Sequence, residues 1–169
     1  MTTPAILLLG NPQLRAISDP LSKKECSTLA PIIEQLHAAM MAFRAQYHRG
    51  RAIAAPQIGY MKRLIYVHID KPVILVNPTF TYKSPDMIEL WDDCMSFPDL
   101  LVKVKRHAHV TLSFKDLDWN DHTWELSGDL AELLQHEYDH LDGILAVDRA
   151  LETNAFALYS QKQYIEFAR

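Results

Sequence analysis

Cysteine is scarce: Cys26 and Cys94 are the two among 169 residues. Two thiols cannot build a disulfide framework, so in a reducing compartment each is a core thiol or a ligand. Long apolar runs are missing too. Ile6-Leu7-Leu8-Leu9 stops at Gly10, no later run reaches bilayer length, and Met1-Thr2-Thr3-Pro4 lacks a basic leader segment. These absences argue against a membrane partner and point to a cytoplasmic protein. Positive charge is also sparse: a net charge of −4 and a pI of about 6.0 argue against a nucleic-acid binder. Lys103, Lys105 and Arg106, the one basic run, are expected on the solvated side of a strand. Repeats and linkers are absent, and with 49% hydrophobic residues the chain, 1–169, is expected to form one domain with a sizeable core.

What is present reads in order as α+β. Leu29, Ile32, Ile33, Leu36, Met40, Phe43 and Tyr47 predict an amphipathic helix from about Thr28 to Tyr47, with Pro31 tolerated in its first turn. Gly50 to Gly59 is a loop of small residues that permits close backbone approach. Strands are expected over 63–69 and 73–76, the second ended by Asn77-Pro78, and then over 101–105, 110–114 and 124–126 as a meander. His37 and His48 are assigned ordinary surface or packing roles, and His107, His109 and His122 solvent-facing ones. Leu130, Leu133, Leu134 and Leu141 mark a last long helix, capped by Ser127 or Asp129 and stopped by Gly143. The expected fold is antiparallel strands packed around this helix, with a short helix through Phe156, Tyr159 and Gln163 after it.

That long helix carries His136-Glu137-Tyr138-Asp139-His140. Positions i and i+4 stack on one helical face, so two imidazoles can hold one transition-metal ion while Glu137 handles a proton. A catalytic ion of this kind takes a third protein ligand and keeps one position open. Cys94, in Trp91-Asp92-Asp93-Cys94-Met95-Ser96-Phe97-Pro98, is the best candidate, with Asp92 and Asp93 also available. Cys26, placed among lysines, is read as a plain surface or buried thiol.

These segments together resemble the peptide deformylase family, in order and over most of the chain. Gly10 to Arg15 resembles its early Gly-x-Pro-x-Leu-Arg, and Gly50 to Gln57 its first motif, Gly-x-Gly-x-Ala-Ala-Pro-Gln. Asn77-Pro78 resembles its strand-ending pair. Asp92 to Ser96 resembles Glu-Gly-Cys-Leu-Ser, and Gln135 to Gly143 resembles Gln-His-Glu-x-Asp-His-Leu-x-Gly. The resemblance implies a metal held by Cys94, His136 and His140, natively Fe(II), with Zn, Ni or Co able to occupy the site. It implies Glu137 as the proton carrier, with Gln57 and the Met95 backbone N–H as oxyanion donors. The implied substrate is an N-formylated peptide, which loses formate.

Departures from the pattern cluster at the expected substrate cleft, around Gly50. Arg51 and Ala52 replace an aliphatic residue and a glycine, and Asp93 replaces the glycine before the cysteine. Glu132 and Asp129 lie one and two turns before His136, where the family lines its methionine pocket with apolar residues. An Arg51–Glu132 pair would make a polar pocket wall, so the first substrate side chain is expected to be polar or charged rather than plain methionine. Leu101 stands where many members carry arginine. The long basic tail that some relatives use at the ribosome is missing, and ribosome docking is not assumed. Two further readings are a non-catalytic module that keeps the metal and captures a peptide, and a deacylase of another N-formyl or N-acyl compound.

Overall fold

The computed structural model describes residues 3–166; Met1-Thr2 and the last three positions, to Arg169, over which the readings above also ran, lie outside the described residues. A short helix α1 (Lys23–Cys26) opens on a capping box formed by Ser22 and Glu25. Then α2 (Ala30–Tyr47) runs close to its expected span and buries Leu36, Ala39, Met40 and Phe43. Seven strands follow: β1 (Ala52–Ala54), β2 (Leu64–His68), β3 (Pro72–Lys83), β4 (Met87–Asp93), β5 (Leu100–His107), β6 (His109–Lys115) and β7 (Asp121–Ser127). After them come α3 (Gly128–Leu141) and the short β8 (Phe156–Leu158).

All pairings between these strands are antiparallel, in two sheets ordered β1-β2-β3-β6-β7 and β4-β5-β8. The expected meander is therefore split. Ala108 alone links β5 to β6, and one residue cannot close a hairpin, so the chain turns a corner into the other sheet. Asn77-Pro78 does not end a strand either: β3 continues through a register shift there, with Asn77 at φ 48. After β8 the chain forms a 3-10 turn, Tyr159–Tyr164, instead of the expected helix.

α3 lies between the two sheets. Its Leu133, Leu134 and Leu141 pack with Ala54, Ile65, Leu75 and Leu112 of the larger sheet. Its polar residues turn toward the smaller one, where Gln135 exchanges hydrogen bonds of 2.9 Å with the backbone of His107. Ser127 occupies the N-cap without a side-chain cap bond. Two sequence expectations fail on β5. Lys105 is exposed, but Arg106 has the opposite parity and is buried with Val102 and Val104. His107 is half-buried, its Nδ1 donating to the Ser84 carbonyl at 2.6 Å, whereas His109 and His122 are exposed as expected.

Gly143 stops α3 at φ 70, and a Cβ there would lie 2.4 Å from the Arg15 carbonyl oxygen. The left-handed backbone alone costs a larger residue about 1–3 kcal/mol, and the clash falls on rigid backbone. Gly143→Ala should therefore lower the urea midpoint by an amount equal to about 3 kcal/mol with an unchanged m-value. A midpoint within error of wild type would show that the Arg15 segment yields freely. Among the described residues no helix is long and apolar enough to cross a membrane.

Candidate functional site

The turn after β4 and the polar side of α3 bring Cys94, His136 and His140 together, all buried, with their ligand atoms within 4.8 Å of one another. His136 Nε2 and His140 Nε2 face each other at 3.3 Å, and Cys94 Sγ lies 3.4 Å from His140 Nε2. A proton on His136 Nε2 shared with His140 Nε2 satisfies this pair, and an ion would take that proton's place. A tetrahedral ion about 2.0–2.1 Å from nitrogen and about 2.3 Å from sulfur sets N to N near 3.4 Å and N to S near 3.5 Å. The donor set fits a divalent transition ion, and one thiolate with two imidazoles leaves a position open.

A layer of charge orients these groups. Asp92 Oδ2 accepts from His136 Nδ1 at 2.9 Å, which fixes the tautomer that leaves Nε2 as a donor to the ion. The same oxygen accepts from Arg106 Nη2 at 2.9 Å, and Arg106 Nη1 reaches Asp139, which Arg149 also grips at 2.5 and 2.6 Å. Burial opposes a charge on His136, but the Asp92 carboxylate and the Cys94 sulfur outweigh it and raise its pKa well above the ordinary imidazole value. Burial and the neighbouring His136 push His140 well below that value. A metal ion binding here would displace a proton from the pair.

Glu137, next along α3, lines the cleft beside the centre, and its Oε2 is buried with no hydrogen-bond partner among the described residues. Burial pushes its pKa from 4.5 up to about 7; the positive charge on His136 opposes the rise and the charge on Asp92 adds to it. Gln57 follows β1 in a 3-10 turn. Its Oε1 accepts from Ala54 N at 3.0 Å, which aims Nε2 at Ser96 Oγ, 3.2 Å away, and at Cys94 Sγ, 3.7 Å away. Ser96 N donates to the same sulfur at 3.4 Å. Met95 is buried, with its side chain packed close over Gly50.

Gln57, Cys94, Met95, His136 and Glu137 line a cleft of about 1070 Å³, just above the range usual for a ligand site. β1 is an edge strand of the larger sheet with β2 alone beside it, and Ala52 lines the cleft, so an extended chain can lie along it. Arg51, from the same edge, binds Asp129 through Nη1 and stands 3.5 Å from Glu132 Oε1 through Nη2. Asp93 pairs with Arg49 at 3.3 Å. Leu101 is fully buried in β5, turned away from solvent. Sequence reasoning missed Arg106, Asp139, Ser96 and Arg49, and took Asp92 as a possible ligand where it holds His136 instead. The one available signal was the parity of Arg106 with Val102 and Val104.

A sequence model of the polypeptide deformylase family matches residues 4–155. The chain belongs to the peptide deformylase family. It is 34% identical over 143 residues to the peptide deformylase of Dictyoglomus thermophilum, an alignment covering 83% of this chain and 93% of that one. The crystal structure of the peptide deformylase from Thermotoga maritima has a TM-score of 0.81 at 28% identity, covering 90% of this chain and all of the other. That of the Synechococcus elongatus peptide deformylase in complex with actinonin has a TM-score of 0.82 at 29% identity, covering 98% of this chain and 87% of that one. Peptide deformylases are metal-dependent enzymes, and the α+β architecture of antiparallel sheets is theirs.

Proposed function

We propose that this chain is a metal-dependent hydrolase, one catalytic unit acting in the cytoplasm, that removes the N-formyl group from peptide N-termini. Water is added across the formyl C–N bond, formate leaves, and the amine carries away a proton. The observation that supports this reading best is the convergence of buried Cys94, His136 and His140 with Glu137 and Gln57 on one cleft. Cys94, His136 and His140 would hold the ion, Fe(II) natively, with Zn, Ni or Co tolerated by the same mixed donors. Bound there, it supplies the positive charge that makes water acidic near neutral pH and polarises a carbonyl.

The chain's own groups do the rest. Glu137 takes the proton of the attacking water and delivers it to the leaving nitrogen. Gln57 Nε2, pre-aimed by the Ala54 bond, and the Met95 N–H donate to the developing oxyanion. Asp92 keeps His136 in its ligand tautomer. Gly50, Arg51 and Ala52 on one side and Asp93 on the other offer the walls between which the substrate lies, and Arg51 with Glu132 makes the wall for the first side chain charged. Neither nucleic acid nor a membrane is a partner in this reading, and ribosome docking is not part of it.

Formate release from N-formyl peptides differing in the first side chain, with Fe(II)- or Ni(II)-loaded protein, tests both halves. Release is expected, and fastest where the first side chain is polar or charged. Arg51→Ile combined with Glu132→Ile should raise turnover of formyl-Met-Ala-Ser about tenfold, the scale on which an apolar pocket discriminates. No gain over wild type would remove the selectivity reading, and no release from any peptide would remove the deformylase reading.

A further inference from the structure

The charge in the cleft is unevenly placed. At the α3 wall one guanidinium, Arg51, meets two carboxylates, Asp129 and Glu132. Arg49, just before Gly50, also lines the cleft, its side chain 12% exposed. Its Nη2 donates to the Pro98 carbonyl, its Nε is 3.3 Å from Asp93 Oδ2, and its Cζ lies 3.5 Å from the Tyr159 ring centroid. Lys162 lines the same end, its Nζ 4.6 Å from that ring.

Arg49 Nη1 is buried and makes no hydrogen bond of normal geometry among the described residues, although Arg49 stands near enough to the Tyr159 phenol to lower its pKa. A guanidinium offers five N–H donors in a fixed fork, and leaving a buried one without an acceptor is costly. Here the fork is clamped by Pro98, Asp93 and Tyr159, so it is oriented before anything binds. Asp93 directly precedes Cys94, which puts the guanidinium roughly 10 Å or less from the centre, the span of about three extended residues.

We infer that Arg49 receives a substrate carboxylate, so that the cleft takes an N-formylated amino acid or short formyl-peptide ending in a free α-carboxylate. A carboxylate matches the fork and makes charge-assisted bonds that a neutral amide carbonyl does not. A longer chain would have to cross the bridge that Arg49 makes between Pro98 and Tyr159. This inference rests on the deformylase reading and narrows its substrate.

The test compares formyl-Met-Ala with formyl-Met-Ala-amide on the metal-loaded enzyme at low salt. Binding of the products Met-Ala and Met-Ala-amide is followed in parallel by calorimetry. The acid should be used with a kcat/KM about tenfold or more above the amide, and its product should bind correspondingly tighter. In Arg49→Gln the acid-to-amide ratio should fall to near one through a rise in KM for the acid, while Arg49→Lys should keep part of the preference. Equal use and equal binding of acid and amide by the wild type, or an undiminished ratio in folded Arg49→Gln, overturns the site. Tighter binding of Met-Ala without formate release from either substrate supports the carboxylate site while sinking the deformylase reading.

Discussion

Glu137→Gln is expected to lower kcat by about 10²–10⁴-fold with metal content unchanged, as for loss of a general acid–base group. The side chain is buried beside the three candidate ligands and lines the cleft, and glutamine keeps its shape but cannot carry the proton. Formate release and metal analysis on the same preparation check this, and full turnover in the variant would assign the proton to another group. The same substitution should act oppositely on stability once the metal is chelated. Burial raises the carboxyl from 4.5 to about 7, so the folded protein keeps a proton that the unfolded chain releases. Stability is therefore lost as pH climbs from 4.5 to 7, by about 3 kcal/mol in all. Glutamine carries no charge at either pH. Metal-free Glu137→Gln should thus outlast metal-free wild type in urea at pH 8, with the advantage gone at pH 4.5. Parallel pH profiles for the two proteins would contradict the account.

Arg106→Leu should destabilise the protein by about 3–5 kcal/mol, the cost of leaving buried partners without their counter-charge. Arg106 is 2% exposed and spans from β5 to Asp92 on β4 and Asp139 on α3. Burial opposes its charge, but the two carboxylates more than offset that and hold it protonated. For a chain of this length the loss corresponds to a fall in Tm of about 10 °C, readable by calorimetry. Metal affinity should drop about 10–100-fold as well, because Asp92 also positions His136. Arg106→Lys should rescue only in part, since one ammonium cannot bridge both acids in the planar geometry. A Tm within a few degrees of wild type in Arg106→Leu would mean that Asp92 and Asp139 are satisfied by other means.

The parts of the site that were legible in the sequence are the local ones. His136, Glu137 and His140 declare themselves because one helical turn puts them on one face, and the apolar stripe beside them marks the helix. Cys94 was the best third ligand on residue type and setting, with Asp92 and Asp93 as alternatives, and the resemblance of the whole chain singled it out, because nothing near it in sequence shows that β4 ends against α3. The Arg51–Glu132 pair was foreseen from which residues broke the family pattern, while the hold of Asp129 on Arg51 was not. The strands were read less well. A bulge let β3 run through Asn77-Pro78, and a one-residue link sent β5 and β6 to different sheets, both set by partners distant in sequence.

Taken alone, the sequence determined the family and the His136-Glu137-x-x-His140 pattern, because those depend on short-range spacing and residue type, and the resemblance to the family named Glu137, Gln57 and Met95 as candidates for the proton and oxyanion roles. Only the tertiary structure decided that Asp92 holds His136, that Arg106 is buried between two acids, and that Arg49 meets Asp93, Pro98 and Tyr159 at the cleft. Those contacts join segments from different sheets and turns, and a contact between distant segments leaves no periodic trace in the chain.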